Sequence, residues 1–183
     1  RFDRHVTISR PDVKGRVSIL EVHVKDRKLA ADVNLMDIAK STPGLVGADL
    51  ANIVNEAAII AVRGGNEVIS VLDFQEAVEK SLIGGVQQKS RIISESERRT
   101  IAYHEAGHAV VMHATPHSDP VYKITIIPRG QSGGFTMALP EQDSILMFRN
   151  QIMARIIGLT GGRVAEEIFC HDITSGASND LQV

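Results

Sequence analysis

The sequence predicts a mainly α-helical protein, in which a four-helix unit is followed by a predominantly helical domain with a small β-sheet. Apolar residues recur at helical spacing through most of both halves of the chain. Strand-like alternation is confined to residues 121–139, apart from a short stretch at 1–8. A polar, glycine-containing segment at 83–93 lies between the halves and indicates a linker. The 183 residues are enough for one large domain or two small ones.

The first two helices of the four-helix unit are predicted from their start signals. Pro11 opens a helix that runs to about Val24, because proline is tolerated in a first helical turn. Asn34 and Asp37 can cap a short second helix, which stops before Pro43.

The third and fourth helices are longer and more regular. The third runs from about Gly47 to Arg63, since apolar residues recur there at helical spacing, and a pair of glycines at 64–65 ends it. Ser70 caps the fourth helix, with Asp73 three residues later, and this helix completes the unit by residue 82.

The second half begins with a clearly marked helix. Ser94 and Glu97 form a capping box at its start, and Pro116 lies just beyond its end. Two strands follow, at about 121–127 and 134–139, with a proline- and glycine-containing turn between them. This half therefore combines a long helix with a small sheet.

Three further elements are predicted after the strands. Asp143 caps a helix that runs to about Leu159, and the glycine pair at 161–162 opens another helix. The polar run at 174–180 is predicted to be a turn that leads into a helix.

The helix that follows Ser94 carries His-Glu-x-x-His at residues 104–108. Each helical residue turns by about 100°, so His104 and His108 lie on one face, one turn apart. Two imidazoles placed in this way can bind one metal ion, and a Zn²⁺ ion with three protein ligands keeps a position for water. Glu105 lies beside this pair and can take a proton from that water. The motif therefore predicts a zinc site suited to the hydrolysis of an amide.

Two histidines do not complete a zinc site, so a third ligand must come from elsewhere. Ten residues after His104, where some zinc peptidases carry a third histidine, this chain has Ala114. His113 faces the opposite side of the helix and His117 lies beyond its end, so both are predicted to be surface residues. Spacing leaves four acidic residues open as the third ligand, namely Glu166, Glu167, Asp172 and Asp180.

The second predicted strand lies in the sequence between the histidine pair and these acidic candidates. Gly134, Phe135 and Thr136 begin a short strand beside glycines, and a strand at a sheet edge can bind an extended peptide by backbone pairing. We therefore expect these three residues to bind a peptide substrate. An ordinary inner strand of the sheet is the alternative.

Composition narrows the possible partners. The net charge of −2 and the lack of a basic stripe give no reason to expect nucleic acid as a partner.

Cys170 is the only cysteine, so an internal disulfide is excluded, and we expect it to be a small buried or half-buried residue. No apolar run approaches 18 residues, so no stretch of this sequence is predicted to span a membrane. The chain begins without methionine and stops soon after a polar motif, which suggests an excerpt of a longer protein.

Several segments of the first half resemble AAA+ ATPases. Arg-Phe-Asp-Arg at 1–4 and Pro-Asp-x-x-Gly-Arg at 11–16 look like the end of an AAA+ core and the start of its lid. The segment at 42–50, Thr-Pro-Gly-Leu-Val-Gly-Ala-Asp-Leu, is similar to the lid segment beside the adenine of bound ATP.

The AAA+ resemblance also assigns residues to the nucleotide. It implies that Arg1 and Arg4 are arginine fingers that reach the nucleotide of a neighbouring subunit. It implies that Gly47 and Ala48 lie on the adenine side of ATP. The phosphate-binding loop and the acidic strand that holds Mg²⁺ would lie upstream, so ATP and Mg²⁺ are expected in the full-length protein.

Four segments of the second half resemble, in the same order, the peptidase domain of the FtsH family of membrane-anchored, ATP-dependent zinc proteases. They are His-Glu-Ala-Gly-His at 104–108, Lys-Ile-Thr-Ile-Ile-Pro-Arg-Gly at 123–130, Gly-Gly-Arg-x-Ala-Glu-Glu at 161–167 and Ser-Gly-Ala-Ser-Asn-Asp at 175–180. The resemblance implies that Asp180 is the third zinc ligand and that Glu105 is the general base. It also implies that Glu166 supports the site by holding a ligand imidazole.

Taken over the whole chain, the resemblance implies an organisation and a function. The end of an AAA+ core would occupy 1–10, the lid 11–82, the linker 83–93 and a zinc peptidase domain, incomplete at its C-terminus, 94–183. One Zn²⁺ ion per chain and a homo-oligomeric ring, expected to be a hexamer, are implied. The ring would unfold and degrade membrane and soluble proteins, fed to it as unfolded polypeptide. An N-terminal anchor outside this sequence would hold it on the cytoplasmic face of the bacterial inner membrane or of an equivalent organelle membrane.

Two other functions are compatible with the same fold. A proteolytically inactive AAA+ scaffold or chaperone subunit would not need the base, so the presence of Glu105 with both histidines argues against it. A free-standing, ATP-independent zinc peptidase would not need the lid segments of the first half.

Overall fold

The computed structural model describes residues 3, 9–84, 93–129, 132–140, 144, 146–178 and 180. The chain divides into two compact units, the first ending at Ile83 and the second beginning at Gly84. Both are built mainly from helices, so the predicted fold class is confirmed. Among the described helices, none has both the length and the apolar character that a bilayer span requires.

The described residues of the first unit form four helices. They are α1 (Val13–Val24), α2 (Leu35–Lys40), α3 (Gly47–Arg63) and α4 (Val71–Ile83). The first helix begins two residues later than predicted, because the Asp12 side chain accepts the Gly15 amide at 2.7 Å and is itself the N-cap. Pro11 therefore precedes the cap and does not open the first turn.

Side-chain caps fix the starts of α2 and α4. Asn34 accepts the amide of Met36 at 2.9 Å, whereas Asp37 lies in the first turn of α2. Before α4, the carboxylate of Asp73 accepts the backbone amide of Ser70 at 2.8 Å and its hydroxyl at 2.7 Å. These local bonds use backbone donors that a helix N-terminus would otherwise leave unpaired.

The core of the first unit is aliphatic apart from the ring of Phe74, in keeping with the low aromatic content of the chain. A buried guanidinium also joins α1 to α2. Arg16 donates from Nε to the carbonyl of Ala39 and from Nη1 to that of Pro11, both at 3.0 Å. The apolar residues that are fully buried around these helices include Leu20, Leu50, Ile53, Ala57 and Phe74.

In the second unit, the residues that the structure describes form two long helices and a two-stranded sheet. Its elements are α5 (Glu95–Ala114), β1 (Val121–Thr125), β2 (Phe135–Ala138), α6 (Arg149–Cys170) and a 3₁₀ turn (Ser175–Ser178). The predicted capping box starts α5, since Ser94 accepts the Glu97 amide at 3.2 Å while Glu97 accepts the Ser94 amide at 3.1 Å. The strands are antiparallel, with Thr125 opposite Phe135.

One helix occupies the region where two were predicted. The glycine pair at 161–162 does not open a helix, because α6 runs without a break from Arg149 to Cys170. The predicted cap Asp143 lies outside the described residues, and α6 starts after Phe148, whose amide donates to the side chain of Gln151 at 2.8 Å. The prediction of two separate helices was wrong, because it took the glycine pair as a break between them.

The glycines of α6 instead allow a close antiparallel approach to α5. A Cβ atom on Gly161 would lie 2.6 Å from the carbonyl oxygen of Gly107, and one on Gly107 would lie 2.5 Å from the Cβ of Ala165. Carbon atoms do not approach so closely without repulsion, so this crossing requires residues without side chains. Further along the pair, the rings of Tyr103 and Phe169 stack with centroids 4.9 Å apart.

We predict that Gly161→Ala destabilises the second unit by about 1–3 kcal/mol, the usual cost of overpacking, although alanine is the better helix former. The matched comparison is Gly158→Ala on the same helix, where an added Cβ would lie 2.9 Å from Cγ of the flexible Met112 side chain instead of against backbone, so we expect a smaller loss. The chain has no tryptophan and only two tyrosines, Tyr103 and Tyr122, both in the second unit. Tyrosine fluorescence during urea unfolding therefore reports this unit, and equal stability of the two variants would contradict the prediction.

Candidate metal centre

His104 and His108 face α6 from successive turns of α5, as their spacing predicts. Both residues are buried, with 8% and 5% of their surfaces exposed. Their rings meet edge to face with centroids 4.6 Å apart, and the two Nε2 atoms are 3.0 Å from each other. The pair therefore presents two nitrogen atoms to one point.

The proton of His104 is fixed by Glu166. The Nδ1 atom of His104 lies 2.7 Å from Oε1 of Glu166, whose side chain is fully buried. A carboxylate can only accept a hydrogen bond, so Nδ1 carries the proton, and in the neutral ring Nε2 keeps its lone pair. This contact is the one that the family resemblance implied for Glu166.

The proton of His108 is fixed by a backbone carbonyl. Its Nδ1 atom lies 2.9 Å from the oxygen of Gly158, which cannot donate, so the proton is on Nδ1. The Gly162 amide also approaches this nitrogen, at 3.3 Å, but that contact cannot be a hydrogen bond once Nδ1 is protonated. Both imidazoles thus direct unprotonated Nε2 atoms to the same place.

Asp180 supplies a third atom from a separate part of the chain. Its Oδ2 atom lies 3.2 Å from Nε2 of His104 and 3.3 Å from Nε2 of His108. Within the described residues this oxygen is buried and accepts no hydrogen bond. Three lone-pair atoms that meet without a proton between them repel one another, and a buried carboxylate oxygen without a partner is costly. A cation bound between the three atoms would remove both costs.

The three atoms fit a zinc ion. Tetrahedral Zn²⁺ with bonds of about 2.0–2.1 Å holds its ligand atoms about 3.3 Å apart, and the observed separations are 3.0, 3.2 and 3.3 Å. Gly162 keeps this space open, because a Cβ there would lie 2.5 Å from Nε2 of His108 and 2.7 Å from Nε2 of His104. His104, His108 and Asp180 could therefore hold one metal ion.

Glu105 is buried between α5 and β2, with 6% of its surface exposed. The hydroxyl of Thr136 donates to its Oε2 atom at 2.8 Å, and Gly134 leaves room for Oε1, which a Cβ there would approach to 3.0 Å. Burial raises the pKa of Glu105; the Thr136 hydrogen bond and the two imidazoles lower it without cancelling that effect. A carboxylate of raised pKa is suited to accept a proton from water.

The other candidates for the third ligand lie apart from this cluster. Glu167 and Asp172 are exposed, and Asp172 accepts the amide of Ile173 at 2.7 Å. His113 and His117 are also exposed, in agreement with their prediction as surface residues. Cys170, whose thiolate is another type of zinc ligand, is half-buried as expected.

The residues that the AAA+ resemblance assigns to ATP binding all lie in the first half of the chain. Arg1 and Arg4 lie outside the described residues. Gly47 and Ala48 form the first turn of α3, where Gly47 is half-buried with open space beside its Cα, and Ala48 is exposed.

Phe135, which was predicted with Gly134 and Thr136 to bind a peptide substrate, is the first residue of β2. It is half-buried and lies opposite Thr125.

Sequence reasoning missed three residues that shape the site. They are Gly158, whose carbonyl orients His108, Gly162, which leaves space at both Nε2 atoms, and Thr174, which donates to Glu166. The spacing of glycines at 158, 161 and 162 on one helical face could have indicated a close helix contact. No local pattern around Thr174 indicates its partner, which lies eight residues away.

The fold and the site place this chain in the class of proteins that bind a metal through a His-Glu-x-x-His helix. Residues 91–183 match the family model described as peptidase family M41, and residues 32–76 match that of the AAA+ lid domain. The chain belongs to peptidase family M41.

Named relatives match along the whole chain. It is 51% identical over 182 residues to ATP-dependent zinc metalloprotease FtsH 3 of Symbiobacterium thermophilum, covering 100% of this chain and 29% of that protein. It is 51% identical over 183 residues to the FtsH protease of Thermotoga maritima, covering 100% and 30%, and 53% identical over 184 residues to that of Chloroflexus aggregans, covering 99% and 28%. The chain thus spans about three tenths of the length of the relatives that it matches.

We predict that His108→Ala and Asp180→Ala each lose the zinc ion, because two remaining ligands do not complete a site. The matched control is His113→Ala, which removes an exposed imidazole from the same helix. Elemental analysis after dialysis against a weak chelator should give about one zinc per chain in the unsubstituted protein and in the control. Full occupancy in Asp180→Ala would remove Asp180 from the set of ligands.

Proposed function

We propose that this chain is the lid and peptidase part of an ATP-dependent zinc metalloendopeptidase that unfolds and degrades membrane and soluble proteins. The observation that carries the proposal is the meeting of three lone-pair atoms, from His104, His108 and Asp180, beside the buried carboxylate of Glu105. The relatives are named ATP-dependent zinc metalloproteases, which supports the metalloprotease part of the proposal. An inactive scaffold would need neither the three proposed zinc ligands nor the proposed base Glu105, so their joint presence argues against that alternative.

The proposed chemistry divides between the metal and the chain. Bound Zn²⁺ would supply Lewis acidity, which makes water more acidic and polarises a peptide carbonyl. Glu105 would accept a proton from the attacking water at Oε1, the oxygen that Thr136 does not engage, and later return it to the leaving amine. Thr136 would hold Oε2 and so orient the carboxylate during both transfers.

The first unit extends the proposal to nucleotide hydrolysis. We propose that residues 11–82 form an AAA+ lid whose Gly47 and Ala48 lie on the adenine side of ATP, with Mg²⁺ bound elsewhere in the full-length protein. Arg1 and Arg4 would act as arginine fingers on the nucleotide of the next subunit, since guanidinium can pair two phosphate oxygens at once. The match of residues 32–76 to AAA+ lids supports this assignment.

We propose the assembly and location from the resemblance to the FtsH family. We expect a homo-oligomeric ring, with six subunits, that receives unfolded polypeptide and has no nucleic-acid partner. An N-terminal anchor beyond this chain would attach the ring to the bacterial inner membrane or to an equivalent organelle membrane. This part of the protein would then lie on the cytoplasmic face.

We predict that Glu105→Gln in the full-length protein retains zinc and ATPase activity while hydrolysis of unfolded polypeptide falls by at least about 10²–10⁴-fold, because the water loses its proton acceptor. The substitution keeps the size of the side chain and leaves the three proposed ligands in place. Glu95→Gln is the matched control, since Glu95 lies on the same helix with 90% of its side chain exposed. Near-normal proteolysis by Glu105→Gln would refute the assignment of the base.

The free edge of β2 is the proposed site for the substrate backbone. The described sheet has two strands, so β2 pairs with β1 on one edge only. Just after the strand, the Leu139 amide donates to the carbonyl of Pro120 at 3.1 Å. Amides alternate along a strand, so we infer that those of Thr136 and Ala138 point to the other edge. An extended peptide on that edge would lie beside Glu105, which Thr136 contacts.

We predict that Ala138→Pro raises KM for an unstructured peptide by about 2–12-fold, because one outward amide worth about 0.5–1.5 kcal/mol is lost. Ala138 is preferred over Thr136 for this test, since proline at 136 would also remove the hydroxyl that holds Glu105. Ala138→Val is the control, because it adds bulk and keeps the amide. The same KM in both variants, with the fold intact by circular dichroism, would count against the edge.

A further inference from the structure

The carboxylate of Glu166 has a second group of partners besides His104. Its Oε2 atom accepts the backbone amide of Thr174 at 2.7 Å, and its Oε1 atom accepts the Thr174 hydroxyl at 3.1 Å. Together with Nδ1 of His104, three donors therefore converge on one carboxylate that is 1% exposed. Such a carboxylate is held in a single orientation, because moving it would leave donors without acceptors.

Thr174 also organises the segment that leads to Asp180. After α6, His171 takes a left-handed conformation with φ of 57°, and the chain turns back so that Thr174 reaches Glu166. The Thr174 hydroxyl then accepts the amide of Gly176 at 3.1 Å, in the first turn of the 3₁₀ turn Ser175–Ser178. Asp180 follows two residues after that turn.

We propose that Thr174 is a positioning residue, which through Glu166 couples the segment bearing Asp180 to the imidazole of His104. The inference rests on the zinc site of the proposed function. One hydroxyl donates to the carboxylate that fixes the His104 proton and accepts from the backbone that carries Asp180. The imidazole of His104 and the start of the segment that bears Asp180 thus share one carboxylate as their hydrogen-bond acceptor, although the first lies on α5 and the second follows α6.

The hydroxyl can be removed with little other change. Thr174 is exposed as a residue, so Thr174→Val keeps the shape and the backbone amide bond to Glu166 and opens no cavity. It leaves the Gly176 amide without its acceptor and removes one of the two donors to Oε1. We expect the segment bearing Asp180 to loosen, which should speed the release of zinc.

The test measures zinc affinity by chelator competition, and zinc release by stopped flow, on the full-length protein. Thr174→Val should lower the affinity about tenfold, at the lower end of the 10–100-fold range known for groups that orient metal ligands. Thr174→Ala should give the same loss, and Thr174→Ser should restore the affinity to within about twofold, because serine keeps the hydroxyl. Thr160→Val is the control, since the hydroxyl of Thr160 on α6 donates only to the carbonyl of Ile157.

A second measurement separates positioning through Glu166 from a general loss of stability. In Glu166→Gln, one carboxylate oxygen is replaced by an amide nitrogen that cannot accept a hydrogen bond, so either Nδ1 of His104 or the Thr174 amide loses its acceptor. Because Thr174 acts through the same carboxylate, the double variant Thr174→Val with Glu166→Gln should lose much less zinc affinity than the product of the two single losses.

A third measurement uses the Co²⁺-substituted protein. Its absorption spectrum should change in Thr174→Val and be unchanged in Thr160→Val.

The outcomes that overturn the proposal are distinct. Thr174→Val with the zinc affinity and release rate of Thr160→Val would refute it, and so would losses that multiply in the double variant with Glu166→Gln. If the unsubstituted protein binds zinc and His108→Ala abolishes binding, such results refute the role of Thr174 alone. If the unsubstituted protein takes up no zinc, the proposed function fails with it.

Discussion

The closeness of α5 and α6 is the constraint on which the metal centre depends. Gly107 and Gly161 bring the two backbones together where any side chain would collide. Only at that separation does Nδ1 of His108 reach the carbonyl of Gly158, and Nδ1 of His104 the carboxylate of Glu166, at hydrogen-bonding distance. These two bonds place both ring protons away from the cluster and so create the pair of free Nε2 atoms. A wider crossing would leave the same His-Glu-x-x-His sequence on the helix with imidazoles free to rotate.

Two buried glutamates serve different purposes because their surroundings differ. The carboxylate of Glu166 accepts bonds from His104 and twice from Thr174, so both of its oxygens are engaged. Glu105 has one hydroxyl donor, from Thr136 on β2, and burial raises its pKa. The first environment fixes an anion that orients other groups. The second leaves one oxygen of Glu105 without a hydrogen-bond donor from Thr136, as the proton transfer proposed for this residue would need.

A metal ion bound to His104, His108 and Asp180 would link metal binding to the order of the second unit. Asp180 comes from a segment that leaves α6 through a left-handed residue and returns to the helix pair by way of Thr174. Without a cation, its buried oxygen faces two other lone pairs at 3.2 and 3.3 Å, an arrangement that opposes folding of the segment. With a cation the same three atoms attract it, so part of the binding free energy stabilises the turn.

Local sequence determined a large part of this protein. Capping residues and apolar periodicity predicted α3 at its observed limits, Gly47–Arg63, as well as the start of α5, and the i, i+4 spacing predicted that His104 and His108 share a face. Tertiary structure decided the rest. Residues alone left four carboxylates open as the third ligand, because the fold of the chain after α6 decides which of them returns to the histidines; the geometry brings Asp180 there and leaves Glu167 exposed. Local propensity also misread the glycines at 161–162 as a helix start, since it contains no information about the facing backbone of α5, whose closeness is the reason that glycine is needed inside α6.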